Sequence, residues 1–279
     1  MTGPSPTASP RALATLRTEE ARGLVGLVFD LDDTLLDHGE LSEAAYTSLF
    51  RLQEAGLRLV ACTGRPAGWA EVLVRQWPLD AAIAENGAVA FAKEQRRFGA
   101  PRLRRVFPAD LAAAGARRVE LRALADELCR RYRTVALADD NAARFTDVTL
   151  DIGEHCRAPA EDIAAMHAEA SRRGVHTFAS SVHLHLAGSV ADKATGTLRL
   201  LESSFGEDPA RARLTYAFVG DSGNDAAAFA AFTTTVGVAN VRAYLPTLPV
   251  PPRYVTQAAM GRGFAELATA LVRLRGNPG

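Results

Sequence analysis

Lysine is almost missing from this chain: only Lys93 and Lys193 stand among the 32 basic residues, and the rest are arginines. An excess of either charge is missing too, because 32 acidic residues cancel the 32 basic ones over 279 residues. That balance argues against a nucleic-acid binder and a polybasic membrane-surface protein. Cys62, Cys129 and Cys156 are too few and too scattered for a disulfide framework, and no Cys/His pair has zinc-site spacing. No apolar stretch approaches the roughly 18–20 residues of a membrane span. Residues 1–22 hold prolines with Ser, Thr and Ala but no apolar centre of a signal peptide, so they read as a flexible tail. These absences predict a reduced, cytoplasmic, soluble protein of one large domain or two smaller ones.

What is present is a recurring pattern of short apolar runs that end in polar loops. Residues 24–29 run straight into acids, as a buried strand does at its end. Leu41, Ala45, Leu49 and Leu52 have helical spacing up to Gly56, and residues 57–62 form a second strand. A helix through Trp69 to Gln76 and a strand at 81–84 follow, which implies parallel strands with right-handed crossovers. The pattern returns with a strand at 214–219, a helix from 226, a strand at 236–238 and a last helix at 263–274. Between these halves, residues 145–152 and 181–186 alternate with period two, the mark of antiparallel strands with one buried face, and helices at 110–132 and 160–173 separate them. The predicted fold is α/β: a Rossmann-like parallel-sheet core at 23–88 and 190–279, with an inserted α+β cap domain at 89–189.

Four segments carry the chemistry. Asp30 and Asp32 end the first strand, where ligands of open α/β sheets bind. Two carboxylates about 4 Å apart repel by roughly 4 kcal/mol at an effective dielectric of 20, a cost that a divalent cation removes; closely spaced oxygens suit Mg2+. The plainer alternative is an acidic turn. Gly220-Asp221-Ser222-Gly223-Asn224-Asp225 ends a later strand, and Asp221 and Asp225 could complete a cation site with Asp30 or simply cap a helix. Thr63-Gly64 at the end of the second strand offers a hydroxyl and backbone N–H groups to a phosphate oxygen, although such turns are common. Lys193 opens a helix. Where arginine supplies nearly all positive charge, a lysine is a marked choice, and a compact ammonium suits phosphate among carboxylates.

In this order the four segments resemble those of the haloacid dehalogenase-like superfamily over nearly all of residues 24–275. The long insert between Thr63 and Lys193 is similar to the type IIB cap, and Glu85-Asn86-Gly87-Ala88 strengthens the likeness. The segment 220–225 looks like that of sucrose-phosphate phosphatases, and Glu85–Ala88 like that of mannosyl-3-phosphoglycerate phosphatases. Asp33 departs from the glycine usual in capped members. The resemblance implies a Mg2+-dependent phosphatase for a small phosphorylated metabolite such as a sugar phosphate, with an aspartyl-phosphate on Asp30 and Asp32 as acid and base. It implies phosphate binding by Thr63, Gly64, Lys193 and Asn224, and metal binding by Asp30, Asp32 (through its carbonyl), Asp221 and Asp225. A catalytically silent binding protein and a phosphomutase-like phosphotransferase stay open as alternatives.

Within the cap, alternation puts Ser181, His183 and His185 on one strand face, so both histidines are candidates to meet the leaving group, or else form an exposed polar face. Arg65, Glu85 and Asn86 are further candidates at the rim. Residues 93–133 hold 11 arginines and one lysine against five acids, which could attract an anionic substrate or form a solvated helix face. No aromatic stacking pattern accompanies them, so nucleic acid is not expected.

Overall fold

A strand with helices over both faces must be apolar at every position, and the shortest runs of this sequence are. The computed structural model describes residues 9–94, 101–108, 110–180 and 182–276. The chain opens with β1 (Arg11–Ala12) and α1 (Thr18–Gly23), then alternates β2 (Gly26–Phe29), α2 (Glu43–Glu54), β3 (Arg58–Cys62), α3 (Ala67–Gln76) and β4 (Ala81–Ala84). Strands β5 (Val89–Glu94) and β6 (Arg102–Phe107) lead to α4 (Leu111–Arg131), β7 (Ala136–Leu137) and β8 (Asp147–Asp151). After these come α5 (Ala160–Arg172), β9 (His176–Ala179) and β10 (His183–Ala187). The last third holds α6 (Lys193–Phe205), α7 (Pro209–Thr215), β11 (Tyr216–Gly220), α8 (Ala226–Ala231), β12 (Thr234–Gly237), β13 (Tyr254–Val255) and α9 (Met260–Arg275).

Among the described residues nine strands form the core sheet in the order β1-β13-β12-β11-β2-β3-β4-β5-β6. All neighbours from β1 to β4 are parallel. Leu27, Phe29 and Val219 face a layer holding Leu49 of α2 and Phe264 and Leu267 of α9. Val28, Val60 and Phe218 face the opposite layer with Leu200 of α6 and Phe229 of α8. Each such side chain taken out of water contributes about 1.5–3 kcal/mol. The acids that end β2 and β11 therefore leave a rigid platform at neighbouring positions, since Val219 pairs with Phe29.

A second sheet, β7-β8-β10-β9, is antiparallel. Its apolar face, with Val148, Leu150, Leu184 and Leu186, packs on Leu121 and Leu128 of α4 and Met166 of α5. Its other face carries Asp147, Thr149, His183 and His185.

The structure moves two expected boundaries. Residues 89–94 and 102–107, expected in the cap, form β5 and β6, which extend the core sheet beyond β4 through antiparallel pairings. Val89, Ala90, Phe91 and Ala92 are all buried, as a strand covered on both faces requires, and lack the alternation of the cap strands. The expected flexible tail of 1–22 is ordered from Arg11 onward, while residues 1–8 lie outside the described residues. Leu13, Leu16 and Ala21 are buried in the core, and β1 pairs with β13. Leu214 and Thr215, expected in a strand, instead end α7, which is capped by the Asp208 side chain and opened by Pro209. Ser181 also lies outside the described residues. Among the described residues no helix is long and apolar enough to cross a membrane.

Candidate active site

Three carboxylates meet where β2 and β11 end. Asp30, Asp221 and Asp225 are all buried, and one oxygen from each lies within 4.8 Å of the others. The loop after β11 turns back so that Asp225 accepts the N–H of Asp221 at 2.8 Å and of Ser222 at 3.2 Å. Gly220 allows this, because a Cβ there would lie 2.3 Å from the Asp225 carboxylate. Thr34 donates its hydroxyl to Asp221 at 3.1 Å, and Asn240 donates to the other Asp221 oxygen at 2.9 Å.

Lys193 enters this cluster from the first turn of α6. Its Nζ lies 2.8 Å from Asp30 and 2.7 Å from Asp225. The helix is started by Asp192, whose carboxylate accepts the N–H of Ala194 and of Thr195 at 2.8 Å each. Gly87 seats it from below: its φ is +112°, and a Cβ there would lie 2.2 Å from the Asp192 carbonyl oxygen.

One ammonium among three buried carboxylates leaves an excess of negative charge. Burial, then Asp225, Asp221 and Asp32, hold the Asp30 carboxyl well above its usual range, while Lys193 opposes them. Burial and the Asp225 charge push Asp221 up to about 7 against Lys193 and the Thr34 hydroxyl. Burial pulls Lys193 down, but Asp225 and Asp30 outweigh it, so the ammonium stays charged. A cluster of hard oxygen donors with unbalanced negative charge fits a divalent cation such as Mg2+. Asp30, Asp221 and Asp225 are the side chains that would hold it.

The other expected residues surround this cluster. Thr63 is fully buried at the end of β3, and its hydroxyl oxygen accepts the N–H of Arg65 at 3.1 Å. Asp32 is half-exposed and ion-paired with Arg65, whose Nε lies 2.9 Å from both carboxylate oxygens. Arg65 in turn lies over the ring of Trp69 at 4.0 Å. Asp33 has φ +54°, the left-handed conformation that glycine adopts most easily and that Asp tolerates better than most residues. Its carbonyl accepts from Asn240 at 2.9 Å, which holds the turn. Asn224, expected near Lys193 or the phosphate, accepts from the Ser222 hydroxyl at 2.8 Å, and Asp225 is the neighbour whose carboxylate holds Lys193.

A cavity of about 560 Å³ lies between this platform and the polar face of the cap sheet. Asp30, Asp32, Gly64, Arg65, Asn86 and Asn224 line the core side; Arg144, His183 and His185 line the cap side. His185 is buried, bonds Asp147 at 2.9 Å and stacks on Phe178, while His183 bonds Glu154 at 3.1 Å. Burial holds the His185 imidazole below its usual range against the pull of Asp147. Glu85 differs from its expected place at the rim. It is 2% exposed, and its oxygens accept the backbone N–H groups of Ala67, Phe145 and Thr146. The described arginines between 102 and 133 do not line the cavity; Arg117, Arg122 and Arg131 instead pair with acids of the cap helices.

Thr34, Asn240 and Arg144 are site residues that motif reading missed. Thr34 stands inside the first acidic segment and could have been read as a partner for an acid. Asn240 carries no local signal, because its partner Asp221 lies 19 residues away; Arg144 has acids close by at Asp140 and Asp147, but nothing local marks its reach to Gly64, 80 residues away.

Comparison with known proteins agrees with this geometry. Residues 27–100 match the family model for haloacid dehalogenase-like hydrolases. No curated protein matches the sequence. A solved structure from Thermoplasma acidophilum, 19% identical, superposes with a TM-score of 0.68 over 90% of this chain and 99% of its own. The sucrose-phosphatase of Synechocystis in complex with sucrose and phosphate, 18% identical, gives 0.62 over 90% and 98%. The C-terminal domain of C. albicans trehalose-6-phosphate phosphatase, 12% identical, gives 0.67 over 96% and 99%. Residues 27–100 thus match the haloacid dehalogenase-like hydrolase model, and the chain as a whole shares the fold of these solved structures, with an α+β module inserted between the Thr63 and Lys193 segments.

Proposed function

We propose that this protein is a Mg2+-dependent phosphatase that hydrolyses a small phosphorylated metabolite, a sugar phosphate, through an aspartyl-phosphate intermediate. The observation that carries this reading is the buried cluster of Asp30, Lys193, Asp221 and Asp225, whose Asp30 lines a cavity between the core and the cap sheet. The sugar-phosphate phosphatases of like fold support it.

Asp30 attacks phosphorus and the ester oxygen departs, leaving the phosphoryl group on the Asp30 carboxylate. Asp32 gives a proton to the departing oxygen, then takes one from the water that hydrolyses the acyl-phosphate. Arg65 fixes the Asp32 carboxylate from both oxygens, so its orientation is set before substrate arrives. Thr63, the Gly64 backbone and Lys193 hold the equatorial phosphoryl oxygens, with Asn224 at the cavity wall. Asp30, Asp221, Asp225 and the Asp32 carbonyl are the ligands we assign to Mg2+, which when bound neutralises phosphoryl charge. The cap at about 108–189 excludes water and selects the leaving group through His183, His185 and Asn86. The free cysteines fit a cytoplasmic setting.

The test is phosphate release from p-nitrophenyl phosphate in the presence of Mg2+. Turnover that Asp30→Asn abolishes is the expected result. Turnover that survives Asp30→Asn, or none by the wild type on this ester or on any of a panel of sugar phosphates, overturns the reading.

A further inference from the structure

The cap wall of the cavity is ordered by ion pairs, and the pairing determines what it can recognise. Arg144 is the cap's cation at the cavity, and it is already engaged. Its Nη2 lies 2.6 Å from Asp140 and its Nη1 3.0 Å from Asp147. Both imidazoles are engaged as well, His183 by Glu154 and His185 by Asp147. On the core side, Arg65 is held by Asp32. Among the described residues that line this cavity outside the phosphate floor, every arginine is thus neutralised by a carboxylate. Acids remain in surplus. Asp139 and Glu154 line the same wall with side chains 91% and 49% exposed. The exposed carboxylate oxygens of Asp139 and Glu154 accept hydrogen bonds.

We infer that the leaving group is an uncharged, hydroxyl-rich one, and that the cap wall rejects esters carrying a carboxylate or a second phosphate. The inference rests on the phosphatase reading and narrows its substrate class. An anion placed against this wall meets like charge with no free cation on the wall to offset it. Hydroxyl groups donate to the carboxylate oxygens of this wall. Discrimination by repulsion is as effective as discrimination by contact. The arginines at 102–133 do not reverse the sign, because those described do not line the cavity.

The experiment compares kcat/KM for matched monoesters with Mg2+: a hexose phosphate, the corresponding sugar-acid phosphate and the bisphosphate, with p-nitrophenyl phosphate alongside. The neutral sugar ester is expected to be preferred at least tenfold over both anionic ones. Asp140→Asn, which removes the charge facing the Nε and Nη2 of Arg144 while Asp147 keeps Nη1, and Glu154→Gln, which removes an exposed charge, are each expected to narrow that ratio by raising turnover of the sugar-acid ester. Equal or greater turnover of an anionic ester by the wild type overturns the inference, as does a ratio that neither variant changes. Hydrolysis of the aryl ester but of none of the sugar esters also overturns it while leaving the phosphatase reading standing. No hydrolysis of any ester removes both.

Discussion

Glu85 accepts the backbone N–H of Phe145 at 2.7 Å across 60 residues of sequence. The same carboxylate takes the N–H of Thr146 at 2.7 Å and of Ala67 at 3.2 Å, so one core side chain holds a cap segment and the start of α3 together. Replacing it strands several buried donors, each of which costs about 1–3 kcal/mol. Glu85→Ala is therefore expected to lose about 3 kcal/mol of stability in urea denaturation. Amide exchange at 145–147 should quicken beyond what global unfolding explains; unchanged protection there would show that the tether is idle.

Cation binding should be visible as stability. The buried cluster of Asp30, Asp221 and Asp225 is under mutual repulsion. A cation bound by the folded state alone adds about 2.7 kcal/mol at a hundredfold excess over its Kd. Thermal denaturation should therefore show a Tm that rises with added Mg2+ and falls with a chelator. Asp221→Asn should lose most of this response and be the more stable of the two in chelator, because it removes one of the crowded charges.

Gly87 seats the helix that carries Lys193. A side chain there must displace the Asp192 carbonyl and adopt φ +112°. Gly87→Ala is expected to cost about 3 kcal/mol or more, by overpacking together with backbone strain. Its kcat should fall well below that of the wild type at a temperature where both stay folded by circular dichroism, since the shift reaches the residue next to Lys193.

The N-terminal segment carries its own pH signature. Burial would raise the Glu20 carboxyl, but bonds from Tyr254 and Arg17 and the charge of Arg253 bring it from 4.5 down to about 2. A depressed acid contributes stability above its unfolded value, and that contribution fades as pH falls through the folded one. The Tm difference between wild type and Glu20→Gln should be full at pH 6, shrink below about pH 4.5 and be nearly gone at pH 2. A difference that stays constant down to pH 2 would refute the assignment.

Asp30, Asp221 and Lys193 were legible because apolar strands that end in acids are rare, and a lysine in an arginine-rich chain stands out. The partners of Glu85 were not legible, because backbone N–H groups leave no mark on residue identity. Nor was the place of Arg144 at the cavity, because its pairs with Asp140 and Asp147 are local while its contact with Gly64 spans 80 residues. The cap strands announced themselves by alternation. Position alone puts β5 and β6 in the cap, although the unbroken burial of Val89 to Ala92 belongs to the core sheet.

The strand order also sets a schedule for the nascent chain. Strand β2 needs β11, which begins 190 residues later, and β1 closes the sheet only when Tyr254 and Val255 have been made. The cap sheet uses residues 136–187 alone. Local contacts form before distant ones can be closed. On the ribosome, the inserted module is therefore complete while the sheet that frames it is still waiting for its second half.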